Sequence, residues 1–104
     1  MARKRVGFFR ELPHGDPDGP SLHDARRESA AEDEAAILGY LARGAVHALS
    51  PGPVWDVLDE SGPVGTASLL TDGEWVWPED LAHYVEKYHV RLPAEFVARA
   101  KTAS

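Results

Sequence analysis

Residues 66–77 read TASLLTDGEWVW, and how this stretch pairs with itself decides the fold. Asp72-Gly73 is a strong two-residue turn signal, because both central positions of a type I′ turn need positive φ. With that turn, Thr71 opposes Glu74, Leu70 opposes Trp75, Leu69 opposes Val76 and Ser68 opposes Trp77. Alternation then places Leu70, Trp75, Ser68 and Trp77 on one face of a hairpin and Leu69, Val76, Thr71 and Glu74 on the other. Both faces carry apolar groups, so the sheet needs cover on both sides, from helices or from a partner.

Working outward, Pro78 suits the first position of a helix, with Glu79 and Asp80 at the positive end of its dipole. Leu81, Tyr84, Val85 and Tyr88 recur at helical spacing, which predicts a helix over about 78–88. Pro93 begins a second short helix with Phe96, Val97 and Ala100 apolar, and the tail KTAS is expected to fray. Upstream of the hairpin, Ser29 and Glu32 match a capping box, Ile37, Leu38 and Leu41 form a stripe, and Gly44 can stop a helix in the left-handed conformation. These signals predict a helix over about 30–43. AVHALS and VWDVLDES read as strands, the second over 54–59, with GPVGT as a connector. VGFFREL, residues 6–12, has strand content, and the loop HGDPDGP follows it.

The expected fold is therefore α+β: one domain over residues 1–104, a small, mostly antiparallel sheet of about four or five strands, one longer helix and two short C-terminal helices.

Charge narrows the function. The net charge is −6 over 104 residues, but residues 3–10 hold Arg3, Lys4, Arg5 and Arg10 against no acid. Between Arg43 and Lys87 there is no lysine or arginine, while Asp56, Asp59, Glu60, Asp72, Glu74, Glu79, Asp80 and Glu86 fall there with all three tryptophans. Such a segment repels phosphate backbones and attracts basic surfaces, which disfavours nucleic acid as a partner. The apolar run after the basic start, Val6 to Phe9, is far shorter than a signal or membrane segment. With no cysteine, neither disulfides nor thiolate zinc sites are available, and a cytoplasmic setting is expected.

Chemistry-bearing patterns are sparse. His83 and His89 stand six apart, not at the three or four a helical zinc pair needs, and Asp16-x-Asp18-Gly19 lacks the remaining ligands of a calcium loop. No serine sits in a nucleophile elbow, and the glycines do not form a phosphate cradle. The reading carries no catalytic residue, no metal site and no cofactor.

The tryptophans leave two readings open: rings packed in the core, or rings partly exposed as anchors inside an acidic rim. On the second, Trp55, Trp75 or Trp77 supply contact area, while Asp56, Asp59, Asp72, Glu74 and Glu79 steer a basic protein partner. A carbohydrate or other small ligand stacked on the tryptophans is the alternative, and a homodimer is a further way to cover the spare sheet face.

Thr71-Asp72-Gly73, Trp75-x-Trp77-Pro78, Leu81-x-x-Tyr84-Val85 and Leu92-Pro93, with Tyr40-Leu41 and Gly44 upstream, resemble a signature of small uncharacterised bacterial proteins of actinomycete type. The resemblance covers about half the chain and implies a context similar to that of immunity proteins of bacterial toxin systems. It brings no catalytic residues with it.

Overall fold

The computed structural model describes residues 4–50, 52–59 and 62–103. Arg3 and Glu60, counted above in the charge pattern, lie outside them. The described residues form six strands and four helices in an α+β arrangement: β1 (Lys4–Arg5), α1 (Leu22–Ala25), α2 (Glu34–Ala42), β2 (Ala45–Ala48), β3 (Pro53–Trp55), β4 (Pro63–Thr66), β5 (Leu69–Thr71), β6 (Trp75–Pro78), α3 (Leu81–Tyr88) and α4 (Ala94–Ala103). Four strands make one sheet in the order β1-β6-β5-β2, and β3 with β4 makes a separate two-stranded ribbon. All pairings are antiparallel except β1 with β6, so the larger sheet is mixed. Among the described residues, no helix is long and apolar enough to cross a membrane.

The hairpin of β5 and β6 forms, with a register two residues away from the one expected. Thr71 lies opposite Val76, Leu70 opposite Trp77 and Leu69 opposite Pro78. Side chains close the longer loop: the Asp72 carboxylate accepts the N–H groups of Glu74 and Trp75 at 2.9 and 2.7 Å, and the Thr71 hydroxyl donates to the Trp75 carbonyl at 2.6 Å. An aspartate bonding backbone two and three residues ahead supplies the turn that a type I′ pair would otherwise make. Because the offset is even, each side chain stays on its expected face.

The face holding Trp75 and Trp77 is covered by α2 and α4. Phe96 of α4 packs edge-on against both indoles, at 5.4 Å from Trp75 and 5.5 Å from Trp77, and Tyr40 of α2 lies 6.1 Å from Trp77. Gly44, expected to end α2 in the left-handed conformation, serves by having no side chain: a Cβ there would stand 2.6 Å from the Trp77 ring. Trp77, Tyr84, Phe96, Leu22, Leu41 and Leu81 are the heart of the core.

Other boundaries moved for identifiable reasons. Residues 6–12 do not form a strand; the chain leaves β1 through Gly7 at φ 83°, and Val6, Phe8, Phe9 and Leu12 enter the core from irregular backbone while Arg10 stays exposed. The Ser29–Glu32 capping box does not form: α2 begins a turn later at Asp33, after a turn in which the Glu34 N–H donates to the Ala31 carbonyl. Pro78 ends β6 opposite Leu69, and Asp80 is the N-cap of α3. GPVGT is not merely a connector, since Pro63–Thr66 pairs with β3, which itself stops at Trp55. The C-terminal helix α4 is ten residues long and includes Lys101, Thr102 and Ala103, where fraying was expected. The one-turn helix α1 had no expectation; Glu11 organises its start, accepting from the Leu22 N–H at 2.7 Å and the Ser21 hydroxyl at 2.8 Å.

Candidate functional site

Three of the expected site residues, Trp55, Asp56 and Asp59, come together where β3 turns onto α3. Asp56 is the organiser. Its Oδ1 accepts the N–H groups of Leu58 and Asp59 at 2.8 and 3.0 Å, closing the turn, and its Oδ2 lies 2.7 Å from His83 Nε2 and accepts the Tyr88 hydroxyl at 2.8 Å. The side chain is buried, so it is a clamp inside the fold and not the steering charge the sequence suggested. Burial alone would raise its pKa; the bonds from His83, Tyr88 and the two backbone N–H groups outweigh that and hold the carboxyl below its ordinary value. An ionised carboxylate only accepts, so His83 Nε2 carries the hydrogen.

Tyr84, one turn before Tyr88, holds the same strand from the other side of the turn. Its hydroxyl accepts the Val57 N–H at 3.1 Å and donates to the Trp55 carbonyl at 3.4 Å. Burial, with the charges of Asp80 and Asp56 adding to it, pushes this phenol up to about 12. The backbone on the C-terminal side of Trp55 is thus fastened to α3 by three side chains of one helix, while Trp55 remains 49% exposed. Pro63 of β4 is its cross-strand neighbour.

The ribbon carries an acid at each end. Asp59 lies beyond Trp55, exposed, with Lys87 Nζ at 2.8 Å. At the other end Thr66 pairs with Pro53, and Glu79 Oε1 accepts both the N–H of Thr66, at 3.1 Å, and its hydroxyl, at 3.2 Å. Glu79 is exposed.

The remaining expected residues separate from this group. Asp72 and Glu74 sit together at the hairpin tip, where Arg99 of α4 meets both: Nε stands 2.6 Å from Asp72 and Nη1 3.1 Å from Glu74. Tyr40 also donates its hydroxyl to Asp72. Burial would raise the Asp72 pKa, but the bonds from Tyr40, the Trp75 and Glu74 N–H groups and Arg99 bring it to about 2. Arg99 brings one positive charge to these two acids, so the negative field expected there is about halved. Trp75 and Trp77 are buried, the latter only 1% exposed, which corrects their assignment as contact area. Their neighbours on α2 and α4 are remote in sequence, and alternation along the strand could not reveal that cover.

Two surface features were not singled out from the sequence. Val46 on the edge strand β2 is 59% exposed and Leu49 just beyond it is 79% exposed. Together with Trp55 they are the exposed large hydrophobic side chains among the described residues, and all three fall within residues 46–55. His83, Tyr84 and Tyr88 anchor the ribbon. The signal available was an aspartate within the apolar run VWDVL, which needs partners if the run is buried.

No family model, curated protein or solved structure matches this chain.

Proposed function

We propose that the protein is a non-enzymatic binding module that takes a basic protein partner on the β3–β4 ribbon, with Trp55 as the anchor. The observation that carries this reading is the half-exposed Trp55 ring on backbone clamped by Asp56 and Tyr84. Large aromatic side chains that lose little freedom on binding dominate interface energetics, and a pre-fixed backbone reduces the ordering cost of association. Val46 and Leu49 extend the apolar content of the same segment. Glu79 and Asp59, the latter partly offset by Lys87, flank the ribbon as rim acids, and the net charge of −6 favours encounter with a cationic surface. Relative to the sequence reading, the contact set narrows to Trp55, Asp59 and Glu79. Neutralisation of a toxin in the cytoplasm, as an immunity-like protein, is the concrete form of this role.

The test uses the full chain as bait in native lysate at low and high salt, beside Trp55→Ala and the double variant Asp59→Asn/Glu79→Gln. A basic protein retained at low salt, released at high salt and lost from Trp55→Ala supports the reading. Equal retention by the Trp55 variant overturns it. Quenching of Trp55 fluorescence by simple sugars, with no protein retained, would replace it with the carbohydrate alternative, and concentration-dependent self-association lost in the same variant would replace it with a homodimer.

A further inference from the structure

A cavity of about 530 Å³ opens between the chain leaving β1, the start of α1 and the segment before α4, within the size range of small-molecule sites. Its wall is mainly apolar, built from Val6, Phe8, Pro20, Ala25, Leu92 and Pro93. Four charged side chains also line it, and they fall into two pairs with different histories. Arg5 and Asp16 are committed to each other through a two-pronged ion pair, Nη2 to Oδ1 at 2.8 Å and Nε to Oδ2 at 3.0 Å, with the guanidinium 3.8 Å over the Phe8 ring. Asp24 and Arg91 make no such pair, with each other or with any other described residue. Their backbones nevertheless adjoin, because the Arg91 N–H donates to the carbonyl of Ala25 at 2.8 Å. Ser21, the other polar lining residue, is already used, donating to Glu11 and accepting from the Asp24 N–H.

We infer that this cavity binds a small zwitterion with an apolar side chain, of which a free hydrophobic amino acid is the simplest member. An uncommitted anion and an uncommitted cation lining an apolar cavity complement an ammonium and a carboxylate attached to an apolar body. The Arg91 guanidinium takes the ligand carboxylate, for which its planar fork of donors is suited. The Asp24 carboxylate takes the ammonium, and the ring or alkyl group lies against Phe8 and Leu92. A plain carboxylic acid would bring its charge beside Asp24, and a plain amine would bring its charge beside Arg91, so each half-ligand meets one repulsive neighbour. The site shares no residue with the Trp55 ribbon, and either proposal can fail without the other.

The experiment titrates the isotopically labelled full chain with three probes at millimolar concentration, L-phenylalanine, phenylacetate and 2-phenylethylamine, following amide shifts in wild type, Arg91→Ala and Asp24→Asn. Both replaced side chains are exposed, so the fold is retained and the amide spectrum verifies it. The expected result is saturable movement of the Phe8, Ala25 and Leu92 amides with L-phenylalanine, at least about tenfold weaker binding of each half-ligand, and a loss of about tenfold in either variant, the worth of one charged hydrogen bond. No saturable shift with L-phenylalanine overturns the proposal. So does equal binding of all three probes, which signals only apolar partition, and so does L-phenylalanine binding that is undiminished in Arg91→Ala and Asp24→Asn.

Discussion

Asp56 Oδ2 lies 2.7 Å from Nε2 of His83, and this contact joins the turn after β3 to α3. The same carboxylate takes the Tyr88 hydroxyl and two backbone N–H groups, so one buried side chain satisfies four donors. Replacing it leaves those donors with no acceptor in a place water reaches poorly. Asp56→Ala should therefore destabilise the protein by about 2–4 kcal/mol, the sum expected for orphaning several buried polar groups. Asp56→Asn should cost less, because the amide oxygen still closes the turn, yet it should free the ribbon. Denaturant unfolding measures the first effect. The second should appear as faster hydrogen exchange at Val57 to Asp59 without a change at Trp77.

The tryptophans should separate cleanly. Trp77 touches Tyr40, Phe96 and the backbone at Gly44, so Trp77→Ala removes a large buried ring and should cost about 3–5 kcal/mol. Trp55 has half of its surface in water, and Trp55→Ala should shift stability by no more than about 0.5 kcal/mol. Thermal melts of both variants check this. Acrylamide quenching gives a second view: the readily quenched fraction of the emission should vanish in Trp55→Phe, leaving the buried pair. Comparable destabilisation by the two alanine substitutions would mean that Trp55 belongs to the core.

Acid should unfold the protein over a window set by carboxylates whose pKa values are lowered in the folded state. Glu11 falls from 4.5 to about 2, because the bonds from Leu22, Ser21 and His23 at the start of α1 outweigh the effect of its burial. Asp72 falls from 3.8 to about 2 for the reasons given above. A group lowered on folding binds its proton more readily in the unfolded chain, so its stabilisation is present above the unfolded value and is lost as pH falls through the folded one. Stability should thus decline from just above pH 4.5 down to about 2, with Asp56 acting in the same direction. Glu11→Gln should flatten that limb from about pH 4.5 downward and Asp72→Asn from about 3.8 downward. Chemical denaturation at stepped pH tests both; an acid limb of unchanged slope in either variant would remove that residue from the account.

What could be read from the sequence was what depends on near neighbours. The Asp72-Gly73 turn announced the hairpin, and the alternation of Leu69, Leu70, Trp75, Val76 and Trp77 assigned their faces correctly even though the register differed by two, because an even offset preserves parity. The stripe of Leu81, Tyr84, Val85 and Tyr88 marked α3 for the same reason. The rest was settled by contacts between distant parts of the chain. Nothing around Asp72 indicates that Arg99, 27 residues on, will sit against it, and so charges read as a free acidic field turned out to be partly compensated. Nor does the pattern WVW say whether a second layer exists above it; Phe96 and Tyr40 provide one, and only Trp55, on a ribbon without that cover, keeps a face to solvent. The candidate site was therefore legible as a composition, aromatic and acidic, and not as a set of residues.

Gly44 offers the most direct test of how closely α2 approaches the sheet. A Cβ at this position would stand 2.6 Å from the Trp77 ring and 3.0 Å from Leu70 Cβ, inside van der Waals contact with atoms that cannot easily give way: Trp77 is held between Tyr40 and Phe96. Gly44→Ala should consequently destabilise by about 1–3 kcal/mol through overpacking, although alanine is otherwise the better residue at a helix end without positive φ. Gly39, in the middle of the same helix, provides the control, since a Cβ there meets nothing within 4 Å. Gly39→Ala should stabilise by about 0.5–1 kcal/mol, because it restricts the unfolded chain and raises helix propensity. Opposite signs for the two substitutions in parallel denaturant melts would place the sheet against Gly44 as described. A stabilising Gly44→Ala would show that Trp77 is free to move aside, and the close packing of α2 on the hairpin would have to be abandoned.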